Sequence, residues 1–163
     1  VAIGCPRALS GGMMLAVALA GAAPAAAQQV QITRLADFAF GTVGVDADIS
    51  SSKDVCISSS GVLGRYNVVA SGSGTNRAFT LAGAGAPLAY EVQWSGTPGR
   101  ATGTALVAGM ATTGLTTTGL GLNLGCVLGN DSASLIVLMR SSELSKATAG
   151  PYTGTLTLLI AAE

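Results

Sequence analysis

From Leu88 to Trp94 the chain reads Leu-Ala-Tyr-Glu-Val-Gln-Trp, which puts Leu88, Tyr90, Val92 and Trp94 on one face and Glu91 and Gln93 on the other. Only an extended backbone has a side-chain period of two, so this stretch predicts a half-buried β-strand. Alternation of this kind dominates the chain and predicts further strands at Val30 to Phe40, Val55 to Ser58, Arg65 to Ala70, Ala78 to Leu81, Ala105 to Ala108, Ser134 to Arg140 and Tyr152 to Ala161. In the last of these, Tyr152, Gly154, Leu156, Leu158 and Ile160 share one face while Thr153, Thr155 and Thr157 share the other. Ser71-Gly72-Ser73-Gly74, Gly83-Ala84-Gly85, Ser95 to Gly99 and Ala149-Gly150-Pro151 separate the strands as turns. Thr112 to Gly121, rich in Thr and Gly, reads as a strand edge or a long loop. No apolar 3.6-residue period lasts three turns, and Ser141 to Lys146 is the best candidate for a single helical turn. Short strands at this spacing predict an all-β domain, a sandwich or a barrel.

The first 27 residues are of another kind. Arg7 is their one charge, Met13 to Gly21 is a short apolar run, and Pro24-Ala25-Ala26-Ala27 gives a small-residue exit before Gln28. That is the layout of a secretory signal, with cleavage expected after Ala27. A bilayer span needs about 20 consecutive apolar residues, more than this Gly- and Pro-interrupted run supplies, so no membrane anchor is expected after cleavage. Residues 28–163 form one expected domain, large enough for a core of its own.

Cys5 leaves with the signal, and Cys56 and Cys126 remain in a chain bound for an oxidising compartment. A disulfide between them is the leading reading; closing so long a loop should stabilise by roughly 4 kcal/mol in the chain-entropy picture. A reactive thiol or metal pair is the alternative. Structural metal sites use close ligand pairs, and neither cysteine has another beside it.

The chain contains 0 His, which excludes Ser-His-Asp and Cys-His catalysis and any His-ligated metal. Eight Lys/Arg against eight Asp/Glu, with no basic run, give no pull toward nucleic acid. The Gly-rich stretches lack the Gly-Lys-Ser/Thr ending of a phosphate loop. Asp46 and Asp48 are two apart and could serve as a glycosidase pair or a calcium loop, but an exposed polar loop is the better reading. A hydrolase built on Asp46, Asp48 or Glu91 is the weakest option because nothing there arranges a tuned pair. Tyr90 and Trp94 share a face with Leu88 and Val92, which favours core packing over a sugar-stacking platform. No catalytic, metal or cofactor site is expected, and the chain is expected to be structural.

Several segments taken together resemble the spore coat protein U family, secreted subunits related to pilins of archaic chaperone–usher systems. They are Asp37-Phe38-Ala39-Phe40-Gly41-Thr42, Val55-Cys56, Leu88 to Val92, Gly125-Cys126 and the closing Ala149-Gly150-Pro151-Tyr152-Thr153-Gly154-Thr155-Leu156-Thr157-Leu158. The resemblance implies an incomplete immunoglobulin-like β-sandwich, held soluble by a periplasmic chaperone, delivered through an outer-membrane usher and completed by the donor strand of another pilus or coat subunit. It places Tyr152, Leu156, Leu158 and Ile160 at the assembly groove, and the product at the cell surface or outside the cell. Polymerising members carry a long extension and a further Cys before the Phe-Gly element, whereas here Gln28 to Phe38 is all that separates Ala27 from it. That segment, about 35 Å when extended and carrying Val30, Ile32 and Leu35, serves either as the domain's first strand or as a donor strand. A tip adhesin or self-complete surface module, binding carbohydrate or protein through Thr97 to Gly103 or Thr112 to Gly121, is the alternative.

Overall fold

The computed structural model describes residues 29–59, 64–117, 126 and 129–163. The expected signal peptide at residues 1–27 and its cleavage point therefore lie outside the described residues, as do Gly125 and the end of the Thr112 to Gly121 stretch. The rest is all-β, with three antiparallel sheets.

Ten strands follow in chain order: β1 (Val30–Thr33), β2 (Ile49–Ser59), β3 (Arg65–Gly72), β4 (Thr80–Leu81), β5 (Leu88–Ala89), β6 (Glu91–Ser95), β7 (Thr104–Ala105), β8 (Ala111–Thr116), β9 (Ala133–Met139) and β10 (Leu156–Ala162). Five of them form one sheet in the order β1-β2-β9-β6-β7. Three form a second, β10-β3-β8, and β4 and β5 pair alone. The helical turn expected at Ser141 to Lys146 is present at Ser141–Leu144.

One apolar core draws on both larger sheets. Val55 and Ile57 of β2, Val92 and Trp94 of β6 and Leu135 and Val137 of β9 meet Tyr66, Val68 and Ala70 of β3. The two sheets are joined at a polar point inside this core. The Trp94 indole N–H donates to the Tyr66 hydroxyl at 3.2 Å, and the rings meet edge to face with centroids 6.4 Å apart. Both side chains are fully buried, so each satisfies the other's polar atom where water does not reach.

Several expected strands have different bounds, each for a physical reason. The strand expected from Val30 to Phe40 stops at Thr33. Continued extension would put Arg34 on the same face as Val30 and Ile32, which pack against the core, and burying an unpaired guanidinium is costly. Instead the chain turns at Arg34 with φ 66°. β2 begins at Ile49, well before the expected Val55, because the polar Ser50 to Lys53 run is paired residue for residue with the apolar Val137, Ile136 and Leu135 region of β9. The Leu88 to Trp94 strand keeps its unbroken alternation but changes partner at Tyr90: Leu88 and Ala89 pair with β4, and Glu91 to Ser95 pair with β9. Ala78 to Leu81 is reduced to Thr80–Leu81 by the tight turn before it, in which Asn76 and Arg77 are both left-handed. Of the strand expected from Ala105 to Ala108, Ala105 is in the ladder of the two-residue β7, and Leu106 adds one further backbone bond to Val92. The closing strand starts at Leu156 because Thr153 is taken up by a bridge to Ala82.

Candidate functional site

Alternation along β10 sets the site. Leu156, Leu158 and Ile160 are half-buried and pack against the core, whereas Thr157, Leu159 and Ala161 face outward, with Leu159 62% exposed. On one side β10 is fully paired with β3, from Leu156 opposite Gly72 to Ala162 opposite Tyr66. On its other side no strand is hydrogen-bonded to β10 among the described residues, although β1 comes close to it. Beside that edge lies a groove of about 740 Å³ whose apolar lining includes Phe38, Phe40, Leu135, Val137, Leu156 and Leu158.

The upper end of the groove is fixed by Tyr152. Its hydroxyl accepts from the Thr148 N–H at 3.0 Å, and its ring lies against Gly83, where an added Cβ would come within 2.5 Å of the ring carbons. The Ala82–Thr153 bridge, with N···O distances of 2.7 and 2.9 Å, holds the following residues in place. The Gly-Pro-Tyr-Thr-Gly run is therefore an anchored corner that sets where β10 begins.

Cys56 and Cys126 form a disulfide, with Cα atoms 5.6 Å apart, inside the usual range. Cys56 is buried in β2, directly opposite Thr33 of β1. Val30 and Ile32 lie in β1, which pairs with β2 of the same chain, and Leu35 lies just past the strand with 47% exposure. Of the expected groove residues, Tyr152, Leu156 and Leu158 line the groove together, while Ile160 lies further along the same face.

Of Asp46 and Asp48, the second is held in place by hydrogen bonds. Asp48 accepts from the Ser141 backbone N–H at 2.8 Å and from Arg140 at 2.9 Å, and Arg140 also grips Glu91 through two hydrogen bonds at 2.8 and 2.9 Å. The Ser141 amide, with Arg140 behind it, holds the Asp48 carboxyl below the usual carboxylate range, and Arg140 does the same to Glu91. The opposite shift is seen at Tyr66 and Tyr90, whose phenols are pushed up by burial. Among the described residues there is no group of three or more His, Cys, Asp or Glu placed to hold a metal ion. Tyr90 and Trp94 are buried, so neither offers a ring face to a sugar. The Thr97 to Gly103 loop is tied down rather than free: Asp54 accepts from the Gly99 N–H, Ser134 from the Arg100 N–H, and Gln93 from the Gly103 N–H.

Sequence reasoning missed the contribution of β9 and of the Phe38–Phe40 pair to the groove. The two rings are stacked with centroids 6.3 Å apart. The available signal was the parity of Phe38 and Phe40, which puts both on one face of an extended stretch. No protein-family model matches this chain, and no curated protein matches it.

Proposed function

We propose that this protein is a secreted structural subunit of a pilus, fimbria or coat, with an immunoglobulin-like sandwich that is completed by an extended strand from another subunit. The observation that carries this reading is the edge of β10, unpaired among the described residues, beside an apolar groove of about 740 Å³. An edge of this kind presents a row of backbone donors and acceptors to any extended segment. The groove then takes that segment's alternate side chains, which is the recognition mode of strand addition. The strand order supports the sandwich reading, since two sheets share one core and an added strand next to β10 would extend the smaller sheet on its open side. The resemblance to spore coat protein U subunits supplies the biological setting: export, a periplasmic chaperone that shields the groove, an outer-membrane usher and delivery to the cell surface.

Self-association tests the proposal. The protein purified without its leader should form concentration-dependent oligomers by light scattering, and Leu158→Lys should hold it monomeric. A wild-type protein that stays monomeric at high concentration and resists unfolding without any partner would sink the assembly reading.

A further inference from the structure

Cys56 lies between Val55 and Ile57, which face the core, so parity turns its side chain to the opposite face of β2. It is nevertheless only 1% exposed, with Cys126 bonded to it from that side. The Gly129 N–H donates to the Cys126 carbonyl at 3.2 Å and closes a turn there. This turn is fastened to β2 at two points. One is the disulfide. The other is Ser132, whose N–H donates to the Val55 carbonyl at 2.9 Å and whose hydroxyl accepts from the Ile57 N–H at 2.8 Å and donates to the Ile57 carbonyl at 3.3 Å. Ser132 runs directly into β9, so its place is set by that strand and not by the sulfurs.

Between the two fastenings lie the groups that grip the end of β1. Arg34, the residue after the strand, donates to the Gly129 carbonyl and pairs with Asp131 at 3.0 Å. The rest of the hold on β1 is short. It pairs with β2 over four residues, and the half-buried Val30 and Ile32 pack against the core. Because both main-chain groups of Ile57 go to Ser132, alternation turns those of Cys56 and Ser58 toward β1.

We propose that the Cys56–Cys126 disulfide is a redox latch on the N-terminal strand. Oxidised, it holds the turn where Arg34 can grip it; reduced, it lets the turn swing on Ser132 and β1 leave β2. A dithiol is the reductant. Cys126 is half-buried where Cys56 is enclosed, so a thiolate of the dithiol attacks the Cys126 sulfur, the S–S bond breaks, and Cys56 leaves as a thiolate that takes up a proton. The second thiol gives up its proton and displaces Cys126, which is protonated in turn, and the reductant departs as a cyclic disulfide. β2 stays in place, because Ile49 to Val55 pair with β9 residue for residue. β1 also comes close to β10, so its departure opens one flank of the core that the two sheets share. The latch works within a single molecule and does not depend on strand acceptance at β10.

Amide hydrogen exchange of the protein without its leader, oxidised and after treatment with dithiothreitol, tests this. Reduction should speed exchange about tenfold at Gln31, Thr33, Cys56 and Ser58 and leave β6 and β9 unchanged. Arg34→Gln removes the grip with the disulfide intact. It should speed the same four amides in the oxidised protein, and reduction should then add little, since both changes break one chain of contacts. Asp131→Asn cuts the grip from the other side and repeats the comparison. Four amides that keep their oxidised rates on reduction overturn the latch. An equal acceleration throughout β6 and β9 also overturns it, because the bond would then brace the whole fold. So do Arg34→Gln and Asp131→Asn proteins in which reduction keeps its full effect.

Discussion

Arg34, Cys56 and Arg140 each do something that their neighbours in sequence could not. Arg34 stops the first strand by being the wrong residue for a core-facing position, and its guanidinium then reaches Asp131 and Gly129, far along the chain. Cys56 joins β2 to Cys126 over a separation of 70 residues; Cys56→Ser should lower stability by about 2–5 kcal/mol, measured as the denaturant midpoint, with less protein accumulating after export. Unreacted thiols in the exported wild type would contradict the bond. Arg140 binds Glu91 and Asp48 at once. Both carboxyls are held below their ordinary values of 4.5 and 3.8. A lowered folded-state pKa stabilises above the ordinary value and ceases to do so as pH falls through the lowered one. The stability gap between wild type and Arg140→Gln should therefore be present at neutral pH and close below about pH 4. All three groups are exposed, so the gap should be small, and urea midpoints across that range will read it. A gap that persists at the lowest pH would show that Arg140 acts through packing instead.

At the level of elements, alternation is legible in the sequence but the choice of partner is not. The faces of β6 and β10 follow from parity alone, and the buried residues Leu88, Tyr90, Val92 and Trp94 are those that alternation selects. The switch of Leu88–Ser95 from β4 to β9 leaves no trace in that period, because pairing is decided by backbone bonds to distant residues. The start of β2 was hidden for a related reason: Ser50 to Ser52 have little strand preference of their own and are extended by β9. Gly114 shows the limit again. It sits at φ 73° in a bulge of β8 against β3, and its N–H is received by the Glu163 carboxylate. The groove was legible from one wall, Tyr152 to Leu158, and not from the others, since Leu135, Val137 and Phe38 come to it from distant parts of the chain. β10 offers a direct check of parity. Leu159→Lys, on the exposed face, should change stability by no more than about 0.5 kcal/mol and leave strand binding intact. Leu158→Lys, one residue away, places a charge in the groove and should abolish peptide-induced stabilisation. Equal effects from the two substitutions would mean that the inner face of β10 is not the seat.

For the molecule as a whole, the arrangement is a core shared by two sheets with one edge beside an apolar groove. The Tyr66–Trp94 contact, the disulfide and the Tyr152 corner fix the parts around that edge, and the connection from β1 to β2 lines the groove through Phe38, Phe40 and Val43. The most direct measurement is denaturant unfolding of the mature domain, alone and with a saturating peptide copying residues 28–40. If β10 accepts a strand, the peptide raises the unfolding midpoint, and raises it further at higher peptide concentration, as binding to the native state requires. A midpoint indifferent to the peptide, in a domain already stable alone, would mean that β1 and its following connection complete the fold unaided and that the protein is not assembled by strand addition.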